Sequence, residues 1–342
     1  MRTCQVVPII ALGILLTPRA LCVLAAPSPI DPFSFFQPSV TVTAGDRSKM
    51  DDGHPVAHVV AGRDSEVGVW AAVPVNVDGD RLVAWMRRIE ALKKSSYVPA
   101  IGRFSNPPRL DDLADMSLDD EDTADLATCH PNHCDLKLSA AEMISLQHAA
   151  GHPDALQQRF RQLVLDRINA YLSGGAIGPY ADRASEVWPA QAFDRLLDHS
   201  TFVTMHAPSF AESLRRTRTA STPAVESFLY WSKESLGGKP TITVTDVRIL
   251  RADDPSLPEV VVAGRQIFAT HYVNASLGVT ALVRGEPEHS NYLVYVNRSE
   301  LDLVHGTFGA IVRWLIQRRL KADADDVLQS LRRRLESGEP PP

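Results

Sequence analysis

The sequence predicts an α+β protein in which a helical N-terminal part packs on a C-terminal antiparallel β-sheet closed by one long helix. Three features carry this expectation. In DALQQRFRQLVLDRINAYLSGG, Leu156, Phe160, Leu163, Val164, Ile168, Tyr171 and Leu172 recur at helical spacing, and Gly174 ends the run. After Ser221 the texture changes to AVESFLYWSKE, PTITVTDVRIL, EVVVAGRQIFATHYVN, SLGVTALVR and NYLVYVNRSELD, rich in β-branched and aromatic residues. Gly237-Gly238, Asp253-Asp254-Pro255 and Gly285-Glu286-Pro287 separate several of them, and strands so closely spaced, with no helix between, pair antiparallel. From His305 to Glu336, finally, one apolar stripe includes Phe308, Ile311, Val312, Leu315, Ile316, Leu320, Val327, Leu328, Leu331 and Leu335.

Along the chain, Met1-Arg2, the apolar run Val6–Leu16 and the V-x-A pattern in Val23-Leu24-Ala25-Ala26 predict a secretory signal peptide, with a cut expected after Ala25. The mature chain is therefore expected to be secreted or periplasmic. Residues 26–64 are rich in Pro, Ser, Asp and Gly and read as a flexible leader. Residues 65–220 read as mainly helical. EVGVWAAVPVNV is a strand that Pro74 would confine to a sheet edge. One helix is expected from Asp80, with Leu82, Trp85, Met86, Ile89 and Leu92 inward and Arg87, Arg88, Lys93 and Lys94 away from that stripe. The acidic run 119–122 lacks the glycine and closing glutamate of a calcium loop and suits a helix start. Ser139 with Glu142 is a capping box. Residues 221–337 hold the sheet and long helix, and 338–342 a disordered tail. The formal charge of −6, which drops to about −8 once Arg2 and Arg19 leave with the signal, argues against nucleic-acid binding.

CHPNHC, residues 129–134, concentrates two cysteines and two histidines. Cys4 and Cys22 depart with the signal, so Cys129 and Cys134 remain as an even pair in an oxidising compartment, bridged over a Pro131-Asn132 turn. Four ligands within six residues cannot all face one tetrahedral ion without strain, and structural zinc sites draw a second pair from a distant segment. His148 and His152 have the spacing for that pair, but Gly151 and Pro153 break the helix that would align them. Haem attachment requires histidine where Asp135 stands. A disulfide is expected, with no resident metal and no cofactor.

The chain contains no H-E-x-x-H, P-loop, G-x-G-x-x-G or S-x-x-K. Asn274 stands where a nucleophile elbow around Ser276 needs glycine, and adjacent Ser232 and Lys233 point to opposite faces of a strand. What remains is a set of polar residues in apolar strands: Tyr230, Glu234, Arg265, His271, Tyr272, Asn274, Tyr295, Asn297 and Arg298. By alternation Tyr295 and Asn297 share a face, and Phe268, Thr270, Tyr272 and Asn274 another. These are the candidate pocket residues, since a few polar groups orient a ligand in an otherwise apolar cavity. Alternatively they lie on the solvent face, satisfied by water.

Antiparallel strands followed by one long amphipathic helix, over residues 222–336, resemble the START-like helix-grip superfamily of lipid-transfer and polyketide cyclase proteins. The superfamily's opening strand and two short helices have no clear match in the sequence. The resemblance implies a pocket between sheet and last helix for a hydrophobic small molecule or lipid. A non-catalytic binding protein is therefore expected. The alternatives are an enzyme on an apolar substrate, using His271, Tyr272, Glu234 or Arg298 as acid–base groups, and an envelope structural or interaction protein. The arginines of the last helix also suit peripheral contact with a membrane surface.

Overall fold

The computed structural model describes residues 31–149, 151–175, 177–216, 225–235, 238–285, 290–302, 318 and 326–338. The protein is α+β, built on an eight-stranded antiparallel sheet with helices on both faces. In chain order the elements are α1 (Ala44–Asp51), β1 (Val56–Val60), β2 (Glu66–Val75), α2 (Gly79–Met86), α3 (Ile89–Lys93), β3 (Ala100–Arg103), α4 (Asp120–Asp125), α5 (Ala140–Gln147) and α6 (Pro153–Leu172). There follow α7 (Pro189–His199), α8 (Thr201–His206), α9 (Pro208–Arg215), β4 (Val225–Glu234), β5 (Thr241–Arg251), β6 (Val260–Ala269), β7 (Val273–Val283) and β8 (Asn291–Leu301). Residues 326–336 are helical.

Strands β4 to β8 form the expected meander, but the sheet is not confined to the C-terminal part. Its order is β1-β2-β8-β7-β6-β5-β4-β3, so a hairpin from residues 56–75 extends it beyond β8 and β3 extends it beyond β4. β2 is interior rather than an edge, and every one of its residues is buried. Pro74 lies opposite Tyr292 of β8 and beyond the last β1–β2 pair, Val56 with Ala72. There β2 has no neighbour on its other side, so the missing N–H breaks no ladder.

Residues 31–64 are not a loose leader either. Phe33, Phe35 and Phe36 are fully buried, with Phe33 and Phe36 edge-on to Trp70 at 6.0 and 6.1 Å. Three large aromatic rings outweigh a polar, turn-rich context, because each removes a large apolar area from water. The single helix expected from Asp80 is two short ones. Its inward stripe is buried as expected, but the Arg87 carbonyl accepts from Arg103 Nη1 at 2.5 Å, and the chain turns at Arg88.

One face of the sheet carries Trp70, Ala72, Ala275, Leu277, Val279, Ala281, Val294 and Val296, and at its other end Leu229, Trp231, Ile242 and Val244. The buried aromatics, α7 to α9, and the segment 104–181 cover it. The opposite face, with Val73, Leu293, Leu282, Val260, Ile249 and Phe228, packs against Leu82, Val83, Trp85 and Met86 of α2, Ile89 and Leu92 of α3, and Leu328 and Leu335. Thus the described end of the expected long helix lies on the sheet, on the face that α2 and α3 also cover. Its earlier part, residues 305–317 and 319–325, the signal segment and the 339–342 tail fall outside the described residues. Arg334 donates to the carbonyls of Ala91, Leu92 and Lys94, at the C-terminal end of α3, and Arg332 donates to Gly53 O. Guanidinium groups at helix C-termini meet unpaired carbonyls and the negative dipole end.

The Cys129–Cys134 disulfide is formed, with Cα atoms 4.6 Å apart.

Candidate functional site

Antiparallel register sorts the α2/α3 face into rows. The outermost row, Val260, Leu282, Leu293 and Val73, is buried under the helices. The next runs Ile249, Val262, Thr280, Tyr295, Ala71, and the one after it Phe228, Val247, Gly264, Gly278, Asn297, Val69. Beyond these lie Tyr230, Thr245 and Gln266, then Ser232 with Thr243. Side chains on this face thus change from aliphatic to glycine, hydroxyl and amide within three rows.

Access to this face is confined to its middle, while Ser232, Thr243 and Gln266 at the polar end are buried. On β7, at the middle of the sheet, Ala275, Leu277, Val279 and Ala281 are buried on one face, whereas Ser276, Gly278 and Thr280 are half-exposed on the other. Thr245, Gly264, Tyr295 and Asn297 on that same face are half-exposed too. A strand with partners on both sides keeps access to one face only where no side chain packs directly over it. The centre of the α2/α3 face is therefore a recess floored by small residues. Gly264 and Gly278 are direct partners on adjacent strands. A Cβ on Gly278 would make ordinary van der Waals contact with Tyr295 at 3.9 Å and Asn297 at 4.0 Å, so a methyl group fits beside these two side chains.

Polar groups ring the floor. At one end Asn297 Nδ2 donates to Ser276 Oγ at 3.2 Å, and Ser299 Oγ bridges Ser276 Oγ and Asn297 Oδ1, both at 2.9 Å. At the other end Lys93, the last residue of α3, donates from Nζ to Glu234 Oε1 at 2.9 Å and to Tyr230 OH at 3.1 Å, with its ammonium 5.0 Å from the Tyr230 ring centre. Ser232 Oγ donates to the same Glu234 oxygen at 2.8 Å.

Burial disfavours both charged forms, but the opposite charge prevails. The Lys93 ammonium is held above its usual range by Glu234 and Tyr230. Glu234 is held below the ordinary carboxylate range by Lys93 and Ser232. Burial pushes the Tyr295 phenol up, so it is a neutral donor and acceptor at physiological pH. Among the described residues the recess thus holds an internally neutralised ion pair and several neutral hydrogen-bonding groups.

A carboxyl depressed in the folded state contributes stability above its unfolded pKa, 4.5 here, and that contribution disappears as pH falls through the folded value. Glu234→Gln should therefore cost about 1–2 kcal/mol at pH 7. The penalty should narrow progressively as pH falls below 4.5, and urea titrations of both proteins at pH 7 and at successively lower pH check this. An unchanged gap at low pH would mean that the pair is not the source.

Of the residues singled out in the sequence, Tyr230, Glu234, Tyr295 and Asn297 share this face. The others do not. Arg265 lies on the opposite face, its Nη1 donating to Leu214 O and Arg215 O at 2.8 and 3.0 Å and its guanidinium 4.6 Å from the Phe193 ring centre. Arg298, also opposite, pairs with Glu66, which His199 contacts at 3.0 Å. The chain does not run on as a strand to Asn274. It turns at 270–272, with Tyr272 at φ 59°, so Phe268, Thr270, Tyr272 and Asn274 do not share a strand face. The turn is fixed from outside: Thr270 O accepts from Lys137 N, and His271 Nδ1 donates to Asp135 O at 3.0 Å. His271 Nε2 faces Asp122 at 3.2 Å, Tyr272 OH accepts from Lys239 N at 2.9 Å, and Asn274 Oδ1 accepts from the buried Lys137 Nζ at 2.7 Å.

Sequence reasoning missed Lys93, Thr245, Gly264, Gly278 and Thr280. The period-two alternation of β7, small and polar against aliphatic, was available as a signal; the partnership of Lys93 with Glu234 was not.

No family model and no curated protein matches the chain. Among solved structures, TTHA0849 from Thermus thermophilus aligns at 13% identity over 43% of this chain and 88% of its own, with a TM-score of 0.24. The di-domain ARO/CYC BexL from the BE-7585A biosynthetic pathway aligns at 10% identity over 86% of this chain and 92% of its own, with a TM-score of 0.25. At these scores neither neighbour bears on ligand or activity.

Proposed function

We propose that this protein is an exported, non-catalytic carrier or sensor of a small amphipathic molecule. The molecule lies in the recess between the sheet and the helices α2, α3 and 326–336. One observation carries this reading: β7, one of the two central strands, keeps one face half-open above glycine and hydroxyl residues while its other face is buried. A sheet face that served only as core would carry aliphatic side chains there, as it does one row away. The arrangement also supports a helix-grip architecture. β2, followed by the two short helices α2 and α3, supplies the opening strand and helices that had no clear match in the sequence, and the last helix closes the same face.

The polar content refines the ligand class. Lys93 is neutralised within the site by Glu234, so among the described residues it is not free to hold an anionic head group. Hydroxyls of Thr245, Thr280 and Tyr295 and the Asn297 amide suit a ligand with hydroxyl or carbonyl groups beside an apolar body. The acid–base alternative is less well supported. His271, Arg298 and Glu234 each face a separate partner, Asp122, Glu66 and Lys93 respectively. Ser276 contacts Asn297 and Ser299, neither of them a base.

Native mass spectrometry of gently purified protein should show a bound small molecule, or uptake from a panel. A neutral sterol-like or polyhydroxylated aromatic compound is expected to bind at least tenfold more tightly than a fatty-acid anion of similar size. A preference for the fatty acid would reverse the ligand class. No uptake of any kind would remove the binding role.

A further inference from the structure

The disulfide loop carries a second arrangement, separate from the recess. Cys129 and Cys134 close a two-residue hairpin in which His130 N donates to His133 O at 3.1 Å and His133 N to His130 O at 2.9 Å. Residues directly opposite in such a pair project their side chains to the same side. Both imidazoles are exposed, 5.2 Å apart between ring centres and inclined by 30°. The turn between them is Pro131-Asn132, with Asn132 in the left-handed region at φ 72°. The loop is fastened to the body by Asn132 N to Ala181 O at 2.8 Å and Cys134 N to Asp182 O at 3.3 Å.

The hydrogen bonds also fix a tautomer. His130 Nδ1 lies 3.0 Å from Pro131 O, and a carbonyl only accepts, so in the neutral ring Nδ1 carries the proton and Nε2 is the nitrogen left to bind a metal. Donation from one ring nitrogen to a backbone carbonyl is how ligating histidines are commonly oriented. Two imidazoles that share one tetrahedral ion at metal–nitrogen distances of about 2.0–2.1 Å hold their ring centres roughly 5 Å apart. The observed ring-centre separation of 5.2 Å matches that spacing.

We propose that His130 and His133 form a bidentate surface site for a borderline divalent transition ion, Zn2+, Ni2+ or Cu2+. The cysteines are oxidised and supply no thiolate, so imidazole nitrogen sets the selectivity, away from Mg2+ and Ca2+. No group of three or more His, Cys, Asp or Glu poised for a metal occurs among the described residues. The remaining positions of the ion are thus open to water or to a donor atom from another molecule. This is a reversible surface chelate, distinct from the thiolate-based structural site that the spacing of CHPNHC excludes.

The test uses the full mature chain with its disulfide intact. Zn2+ binding is followed by calorimetry, and the Cu2+ complex by electron paramagnetic resonance, for wild type, His130→Asn, His133→Asn and, as a control, His148→Asn. Each loop variant should weaken the tightest site at least tenfold and reduce the equatorial nitrogens on Cu2+ by one, leaving Tm unchanged. The control should match wild type. Loop variants that bind as wild type does, or an equal loss in the control, would overturn the assignment.

Discussion

Replacing Lys137 by methionine is expected to destabilise the fold by about 3–5 kcal/mol at neutral pH. Its ammonium is fully buried between Asp302 at 2.7 Å, Asp182 at 3.4 Å and Asn274 Oδ1 at 2.7 Å, 5.1 Å from the Tyr180 ring centre. This cluster ties four separate segments together: the stretch after the disulfide, the loop before α7, the start of β7 and the residue after β8. Methionine preserves much of the volume, so the loss measures electrostatics rather than a cavity. Burial already raises Asp182 above the ordinary carboxylate range, with Lys137 pulling the other way. Without the lysine, folding the charged carboxylate becomes costly, and the native state binds a proton more readily than the unfolded chain. Stability of the variant should accordingly rise as pH falls from 7 towards 5, and the deficit against wild type should narrow. Lys137→Met with Asp182→Asn should recover part of the deficit at pH 7. Chemical denaturation of the three proteins at both pH values decides this; a deficit independent of pH would assign the cost to packing instead.

Lys137 illustrates where sequence pattern stops being informative. A lysine in DLKLS carries no local mark of burial, because its partners lie 45 residues away at Asp182 and 137 away at Asn274. The same holds for Lys93. Helical periodicity correctly put it off the apolar stripe, yet its partner Glu234, 141 residues on, turns that position into a wall of the recess. Local patterns, by contrast, were readable. The β4–β8 meander and the Tyr295–Asn297 face follow from alternation, helix α6 from 3.6-residue spacing, and the disulfide from the spacing of Cys129 and Cys134. Two local rules misled because a longer-range contact outweighed them. Pro74 is compatible with an interior strand since β1 stops short of it, and the polar stretch around Phe33, Phe35 and Phe36 is drawn into the core by Trp70. The Gly264–Gly278 pair could be found only once strand register was known, as each glycine alone is an ordinary strand interruption.

That pair yields the sharpest discrimination between a binding recess and an incidental surface dip. Gly278 lies in extended backbone at the centre of the sheet, and a Cβ there has ordinary van der Waals room, 3.9 Å from Tyr295 and 4.0 Å from Asn297. Gly278→Ala should be neutral or stabilising by up to about 1 kcal/mol, because glycine in a strand interior carries extra unfolded-state entropy. It should leave ligand uptake nearly intact. Gly278→Leu projects a branched side chain from the floor into the space that the ligand is proposed to fill, and should reduce uptake more than tenfold with little change in Tm. Gly264→Ala is the contrasting case: its Cβ would come within 3.1 Å of Thr245 Cγ2, so that side chain must shift, and a stability loss is expected before any binding effect. Uptake measured by native mass spectrometry or probe fluorescence, beside thermal unfolding for each variant, separates the outcomes. If Gly278→Leu folds normally and still takes up ligand as wild type does, the half-open face of β7 is not where the ligand sits, and the carrier role loses its structural basis.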